Sequence, residues 1–335
     1  MCRFWRHCGN CVSTPSGELG PGWLRRQKGH LKPSSYQPLE STWRLRVEPR
    51  WGGVSLSDIR PSAVQAWLSD LSVGDQASGI KPLSASVVIR THQVLNAILA
   101  DAVKDRLLGS NPPSGMRLPK KSRKRPLYLT HDQIAALADA SGDHGIVVLL
   151  LAYTGIRWGE MAALRLRDLD MLRRRITIAE SATQVGSQIY LGTTKGHKHR
   201  SVPFPSFLAP ELGRACEGKS RDDLVFPNED GDYLSRPHTE SGWLDKAVAK
   251  AGIPRATPHD LRHTAASFAV SAGANVKALQ RMLGHASAAM TLDIYAELFD
   301  DDLDSVAVAL DVARGKGVSK SRPTGVQKAA NATQK

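Results

Sequence analysis

The chain is short of cysteine, of aromatic residues and of long apolar runs, and each shortage removes a class of protein. Its 335 residues hold four cysteines, three of them (Cys2, Cys8 and Cys11) in the first dozen positions. Cys8-x-x-Cys11 beside His7 has the opening of a zinc-site spacing, but no second ligand pair follows at finger or ribbon distance. A disulfide scaffold and a structural zinc module are therefore set aside in favour of free thiols, and no metal is expected. The longest apolar stretch, Gly145 to Ala152, suits a buried helix and falls well below the roughly 20 residues a membrane span needs. The N-terminus has no apolar signal core, so the protein reads as cytoplasmic, with no membrane partner. No phosphate-cradling P-loop pattern occurs, and no clustered Asp/Glu set could hold a pair of metal ions. Neither a nucleotide nor any other cofactor is expected.

Acidic residues are also in the minority. Lys and Arg number 45 against 32 Asp and Glu, a formal net charge of +13. Solvated lysines scattered over a surface could account for that total, but the basic residues are clustered. Arg117, Lys120, Lys121, Arg123, Lys124 and Arg125 lie close together, and Lys195, Lys198 and Arg200 crowd a second stretch. Patches of this kind attract phosphate backbones by Coulomb attraction and counterion release, which points to nucleic acid and says nothing about chemistry.

The length allows two domains. Residues 1–30 carry recurrent Gly, Pro and Ser without a sustained period and read as an irregular segment. Residues 31–115 read as an all-helical unit, with helices over about 34–47, 60–71 and 84–109; Val64, Trp67, Leu68 and Leu71 share one apolar face. Asn111-Pro112-Pro113 stops it, and 116–126 forms a Pro-bounded basic linker. Residues 127–313 open with the capping pattern Thr130-His131-Asp132-Gln133 and helices at about 144–153 and 158–166. The period then changes to two, predicting a small antiparallel sheet from strands 175–179, 188–191 and 200–203, the last two joined by a Gly/Lys/His-rich turn. Helices follow over about 206–216, 240–251, 258–271, 275–283, 287–296 and 302–313. Residues 314–335 are basic, rich in small residues and expected to be disordered.

Five short segments carry candidate chemistry. In Thr257-Pro258-His259-Asp260-Leu261-Arg262-His263-Thr264, Thr257 is a natural N-cap and Pro258 a natural first helical residue. His259 and Arg262 then share a face near a helix N-terminus, where an anion is favoured. In Thr154-Gly155-Ile156-Arg157-Trp158-Gly159-Glu160, Gly155 permits a tight turn that presents Arg157, whose fork suits phosphate oxygens. Lys195 sits at the tip of the turn between strands. Leu283-Gly284-His285 places a histidine at a helix-end corner, and Tyr295 follows ten residues later. Taken singly, each has an ordinary explanation: a surface His–Arg pair, an Arg157–Glu160 ion pair, a solvated lysine, a hydrogen-bonded histidine, a packed tyrosine.

In this order and spacing, over roughly residues 32 to 312, the segments resemble the tyrosine recombinases, or phage integrases. The resemblance implies a mainly α fold with a small antiparallel sheet, arranged as a two-domain DNA clamp: a helical core-binding domain plus an α+β catalytic domain. It implies that Tyr295 attacks a scissile phosphate to give a 3′-phosphotyrosyl intermediate and a free 5′-hydroxyl. Arg157 and Arg262 would hold the non-bridging oxygens, with His285 as a third donor. Lys195 would protonate the 5′-oxygen, His259 would assist proton transfer at Tyr295, and Glu160 would buttress Arg157. The implied partners are double-stranded DNA and a homotetramer on two sites, with integration or excision of a phage or mobile element as the role. A directionality factor or host DNA-bending protein is compatible with the resemblance. A type IB topoisomerase-like nicking-closing enzyme and a DNA-binding relative without catalysis are the competing readings. Many phage-type relatives have a further N-terminal domain for arm sites, which residues 1–30 are too short and irregular to supply.

Overall fold

The computed structural model describes residues 15–74, 79, 81–121, 125–193, 199–238, 240–299, 308, 310–312 and 314. It is mostly helical, with two small sheets, and divides into two compact units: residues 1–126 with 182–192, and residues 127–181 with 193–335.

In the first unit, helices α1 (Ser16–His30), α2 (Pro33–Thr42), α3 (Glu48–Trp51), α4 (Pro61–Val73) and α5 (Ala85–Lys104) surround one apolar core. The core-facing side of α4 is the expected set Val64, Trp67, Leu68 and Leu71, and α5 contributes Val88, Val94, Leu95, Ile98 and Leu99. Trp51 meets Trp67 edge-on, with ring centroids 5.6 Å apart. The expectation of an irregular segment over 1–30 fails for its second half: Ser16–His30 is helical, and Trp23 and Leu24 are buried in this core. The glycines hid it. Gly20 packs so close to the Trp43 ring that a β-carbon would clash, and Gly17 lies against the Gly52 backbone; both serve close approach rather than disorder. Residues 1–14, including Cys2, Cys8 and Cys11, lie outside the described residues.

Helices α2 and α3 are joined by a π-helical turn at Trp43–Val47, so the 34–47 helix is longer than expected and locally widened. At the other end of the unit, the start of the basic linker is fastened to α4. Gln65 donates to the Arg117 carbonyl at 3.1 Å and accepts from its N–H at 2.9 Å, while Met116 and Leu118 pack on the core. Arg123 and Lys124 lie outside the described residues.

The second unit is built around α7 (Gly145–Thr154), apolar all round and packed against α6 (His131–Ala140) and α11 (Pro258–Ser271). A helix without a polar face must be enclosed, and seven of its ten residues are buried. The Thr130–Gln133 capping box forms as the sequence predicts, and α8 (Trp158–Ala162) is shorter than expected. Strands β1 (Leu169–Asp170), β2 (Arg175–Ile178) and β5 (Arg200–Pro203) make an antiparallel sheet in the order β1-β2-β5, with Ile176 opposite Val202 on the buried face. The expected three-stranded sheet needs correction: β4 (Gln188–Thr193) pairs instead with β3 (Glu180–Val185), in a stretch that falls largely in the first unit, across a turn in which Gly186 has φ +63°. Thr-Gln-Val lacks the apolar alternation that would have marked β3. The remaining helices are α9 (Ala209–Cys216), α10 (Trp243–Ala251), α12 (Val276–Leu283) and α13 (Ala288–Tyr295). No helix among the described residues is long and apolar enough to cross a membrane. Of the expected helix at 302–313, residues 308 and 310–312 are helical; the tail beyond 314 lies outside the described residues.

Candidate active site

Three helix ends converge in the second unit. The C-terminus of α7 closes on Gly155 in the left-handed region (φ +64°), and α12 closes on Gly284 in the same way (φ +66°). The N-terminus of α11 is capped where the Asp260 carboxylate accepts the N–H and hydroxyl of Thr257, at 2.9 and 2.6 Å.

Arg262, on the first turns of α11, is 2% exposed. Its guanidinium donates to the Gly155 carbonyl and, at 2.6 Å, to the Leu283 carbonyl, two groups that the helix endings leave without helical partners. One arginine thus ties the corner after α7 to the corner after α12. Burial pulls its pKa down to about 9, helped by the neighbouring Arg157, which still leaves it a cation at neutral pH.

Arg157 leads into α8 and is the more open of the two, with 38% of its side chain exposed. Glu160 accepts from its backbone N–H at 2.8 Å and from its guanidinium at 2.9 Å, and a longer contact of 3.5 Å reaches the Gly284 carbonyl. The structural reading of Glu160 is correct but incomplete. Arg200, at the start of β5, binds both of its carboxylate oxygens, at 2.9 and 2.6 Å. Burial would raise the Glu160 pKa, yet the hydrogen bonds and charges of Arg200 and Arg157 hold it below the ordinary carboxylate value.

Tyr295, at the end of α13, is 1% exposed and packs on Ala266, Val270, Leu279 and Leu283. Its ring lies parallel to that of His285, with centroids 6.2 Å apart. Its hydroxyl is 2.9 Å from Nδ1 of His263. Burial pushes the phenol's pKa up, and Arg262 and Arg157 oppose the rise. His285 is set by Thr291, whose hydroxyl lies 3.0 Å from its Nδ1. With the hydroxyl donating there, Nε2 carries the ring proton and can donate in turn. Burial, reinforced by Arg262, Arg157 and Arg200, holds His285 neutral with a pKa near 4.

His259 does not hydrogen-bond to Tyr295 among the described residues; it meets His263 edge-on at 4.6 Å, and His263 meets Tyr295 edge-on at 5.5 Å. Five of the six residues singled out in the sequence, Arg157, His259, Arg262, His285 and Tyr295, therefore belong to one connected cluster. The sixth, Lys195, lies outside the described residues. Sequence reasoning gave no role to His263, although its place one turn after His259 put it on the same helix face. In the sequence Arg200 stands only as one of a basic group; nothing local marks a partner 40 positions away.

This cluster offers a buried phenol beside two cationic forks and neutral imidazoles, a set suited to holding a phosphate diester against an oxygen nucleophile. A model of the phage integrase family matches residues 127–301, and one of the phage integrase N-terminal SAM-like domain matches residues 21–72, starting inside α1. The chain is similar to a tyrosine recombinase of Thermosipho africanus, 28% identical over 75% of this chain and 84% of that protein. It is also similar to an integrase of Mycobacterium phage L5, 29% identical over 74% of this chain and 66% of that protein. Among solved structures, the Tn1549 transposon integrase in complex with a circular intermediate DNA superposes with a TM-score of 0.72, covering 89% of this chain and 100% of that one. At 21% identity this likeness concerns the fold alone.

Proposed function

The chain belongs to the phage integrase family and is a site-specific tyrosine recombinase, and on that premise we propose that Tyr295 is its nucleophile. The phenol attacks a scissile phosphate in duplex DNA, forming a 3′-phosphotyrosyl bond and releasing a 5′-hydroxyl. Arg157 and Arg262 neutralise the charge that gathers on the non-bridging oxygens, and Nε2–H of His285 adds a third donor. Lys195 protonates the departing 5′-oxygen, and His259 assists proton transfer to and from Tyr295. Because the phosphodiester energy is kept in the covalent intermediate, rejoining needs no nucleotide.

The observation that carries this reading is the placement of the Tyr295 phenol against His285, with Arg262 and Arg157 close enough to bias its ionisation. Residues 15–115, α1 included, act as the core-binding domain and residues 127–313 as the catalytic domain of a clamp around double-stranded DNA. The basic stretch 116–126 crosses the backbone between them, and four copies act on two sites. The protein works in the cytoplasm on DNA, and its role is integration or excision of a phage or mobile element.

The test is covalent trapping on a nicked suicide duplex, its core site selected from a randomised pool by the wild-type chain. A protein–DNA adduct is expected with the wild type and none with Tyr295→Phe; an adduct that survives Tyr295→Phe overturns the assignment. With two intact sites, strand joining is expected; relaxation of supercoils without joining identifies a nicking-closing enzyme instead.

A further inference from the structure

We propose that His263 is the group that takes the hydroxyl proton of Tyr295 during cleavage and returns it during rejoining. The inference rests on Tyr295 as nucleophile and adds the partner that its hydroxyl finds within the fold.

A general base must lie within about 2.6–3.2 Å of the oxygen it deprotonates, and Nδ1 of His263 is 2.9 Å from the Tyr295 hydroxyl. His259 meets the ring of His263 edge-on, so its assistance reaches Tyr295 through the position of that ring. The position is also fixed from both sides. His263 is carried on α11, whose N-terminus is capped by Asp260 and whose Arg262 is buried between two helix ends. Tyr295 is enclosed by Leu279, Leu283, Ala266 and Val270.

Nδ1 can accept the hydroxyl's hydrogen only if the ring is neutral with its proton on Nε2. Burial, together with His259 and Arg262, holds the free ring's pKa near 4, so the neutral form is present at pH 7. A scissile phosphate brings a negative charge beside the pair and favours the imidazolium as the proton moves.

The Tyr295 oxygen forms a bond to phosphorus as the bond from phosphorus to the 5′-oxygen breaks. The tyrosine proton goes to Nδ1 of His263, and the departing 5′-oxygen takes a proton from Lys195. On rejoining, the 5′-oxygen bonds to phosphorus as the bond from phosphorus to the Tyr295 oxygen breaks; the 5′-hydroxyl proton returns to Lys195, and the imidazolium gives its proton back to the tyrosine oxygen.

The experiment compares single-turnover adduct formation on the selected nicked duplex for wild type, Tyr295→Phe, His263→Asn and His259→Asn. Each is also made, except Tyr295→Phe, with the more acidic 2,3-difluorotyrosine at position 295. An asparagine amide preserves a hydrogen bond to the phenol and cannot carry its proton. His263→Asn is expected to bind the duplex like wild type and to cleave on the order of 10²–10⁴-fold more slowly, with difluorotyrosine recovering part of the loss. Full-rate cleavage by His263→Asn, a loss that difluorotyrosine does not relieve, or relief confined to His259→Asn would overturn the proposal. Failure of wild type to form an adduct, or an adduct in Tyr295→Phe, would instead sink the nucleophile assignment. Nitrogen-15 NMR of histidine-labelled wild-type protein decides the case even if His263→Asn does not fold. An unprotonated Nδ1 that shifts in Tyr295→Phe is expected; a protonated Nδ1 overturns the proposal.

Discussion

Glu160 and Arg200, 40 residues apart, form a two-pronged ion pair at 2.9 and 2.6 Å, while the same carboxylate takes the backbone and side chain of Arg157. The pair fixes β5 to the loop that presents Arg157. Removing only the acid would leave a largely buried Arg200 without its counter-charge. Glu160→Ala is expected to cost about 3–5 kcal/mol in urea denaturation. Glu160→Gln, which keeps the shape and some hydrogen bonds, should cost less. Cleavage by either variant should fall further than its stability explains, because Arg157 loses its anchor; a full-rate Glu160→Gln would show that the anchor is dispensable.

Arg157 itself is partly exposed, and its loss leaves the buried Glu160 still paired with Arg200. Arg157→Ala should therefore unfold close to wild type and bind DNA with nearly unchanged affinity. Its adduct formation should drop on the order of 10²–10³-fold, the usual effect of losing one donor to a developing oxyanion. Gel-shift affinity and cleavage rate measured together check this; an equal loss of both would make Arg157 a binding residue.

Gly284 has φ +66°, and a β-carbon there would come within 2.9 Å of the Arg200 guanidinium. Gly284→Ala combines left-handed backbone strain, about 1–2 kcal/mol, with displacement of Arg200. Thermal unfolding should show at least that loss, with impaired cleavage beside it. An alanine tolerated at no cost would mean that Arg200 moves freely, against the ion pair seen here.

His263 and His285 each have a pKa near 4 in the fold against an ordinary 6.5, with burial as the leading cause. Between pH 6.5 and 4 the unfolded chain binds more protons than the folded one, so stability falls as the pH drops through that window and is full above it. Calorimetric unfolding midpoints should decline from pH 7 toward pH 5. The decline should be shallower in His285→Gln; an unchanged slope there would mean that His285 is not held neutral by the fold.

Trp23 lies 6% exposed in the first unit's core, on a helix where the sequence alone reads as irregular. Trp23→Ala is expected to destabilise by about 3–5 kcal/mol in chemical denaturation, the range for deleting a buried aromatic. A change below about 1 kcal/mol would mean that α1 is not part of that core.

Local pattern settled much of this protein. The apolar faces of α4 and α5, the Thr130 and Thr257 caps, and the glycines ending α7 and α12 depend on neighbours a few residues away, so periodicity and turn chemistry expose them. The motif order likewise singled out Arg157, His259, Arg262, His285 and Tyr295. Tertiary structure alone decided what those side chains touch. Burial of α1 depends on glycines used for close packing, which look in sequence like glycines of a loop. The pairing of β4 with β3, the grip of Arg200 on Glu160 and the hydrogen bond from Tyr295 to His263 are set by chain segments meeting in space. Such contacts, 40 and 32 residues apart for the last two, leave no periodic trace.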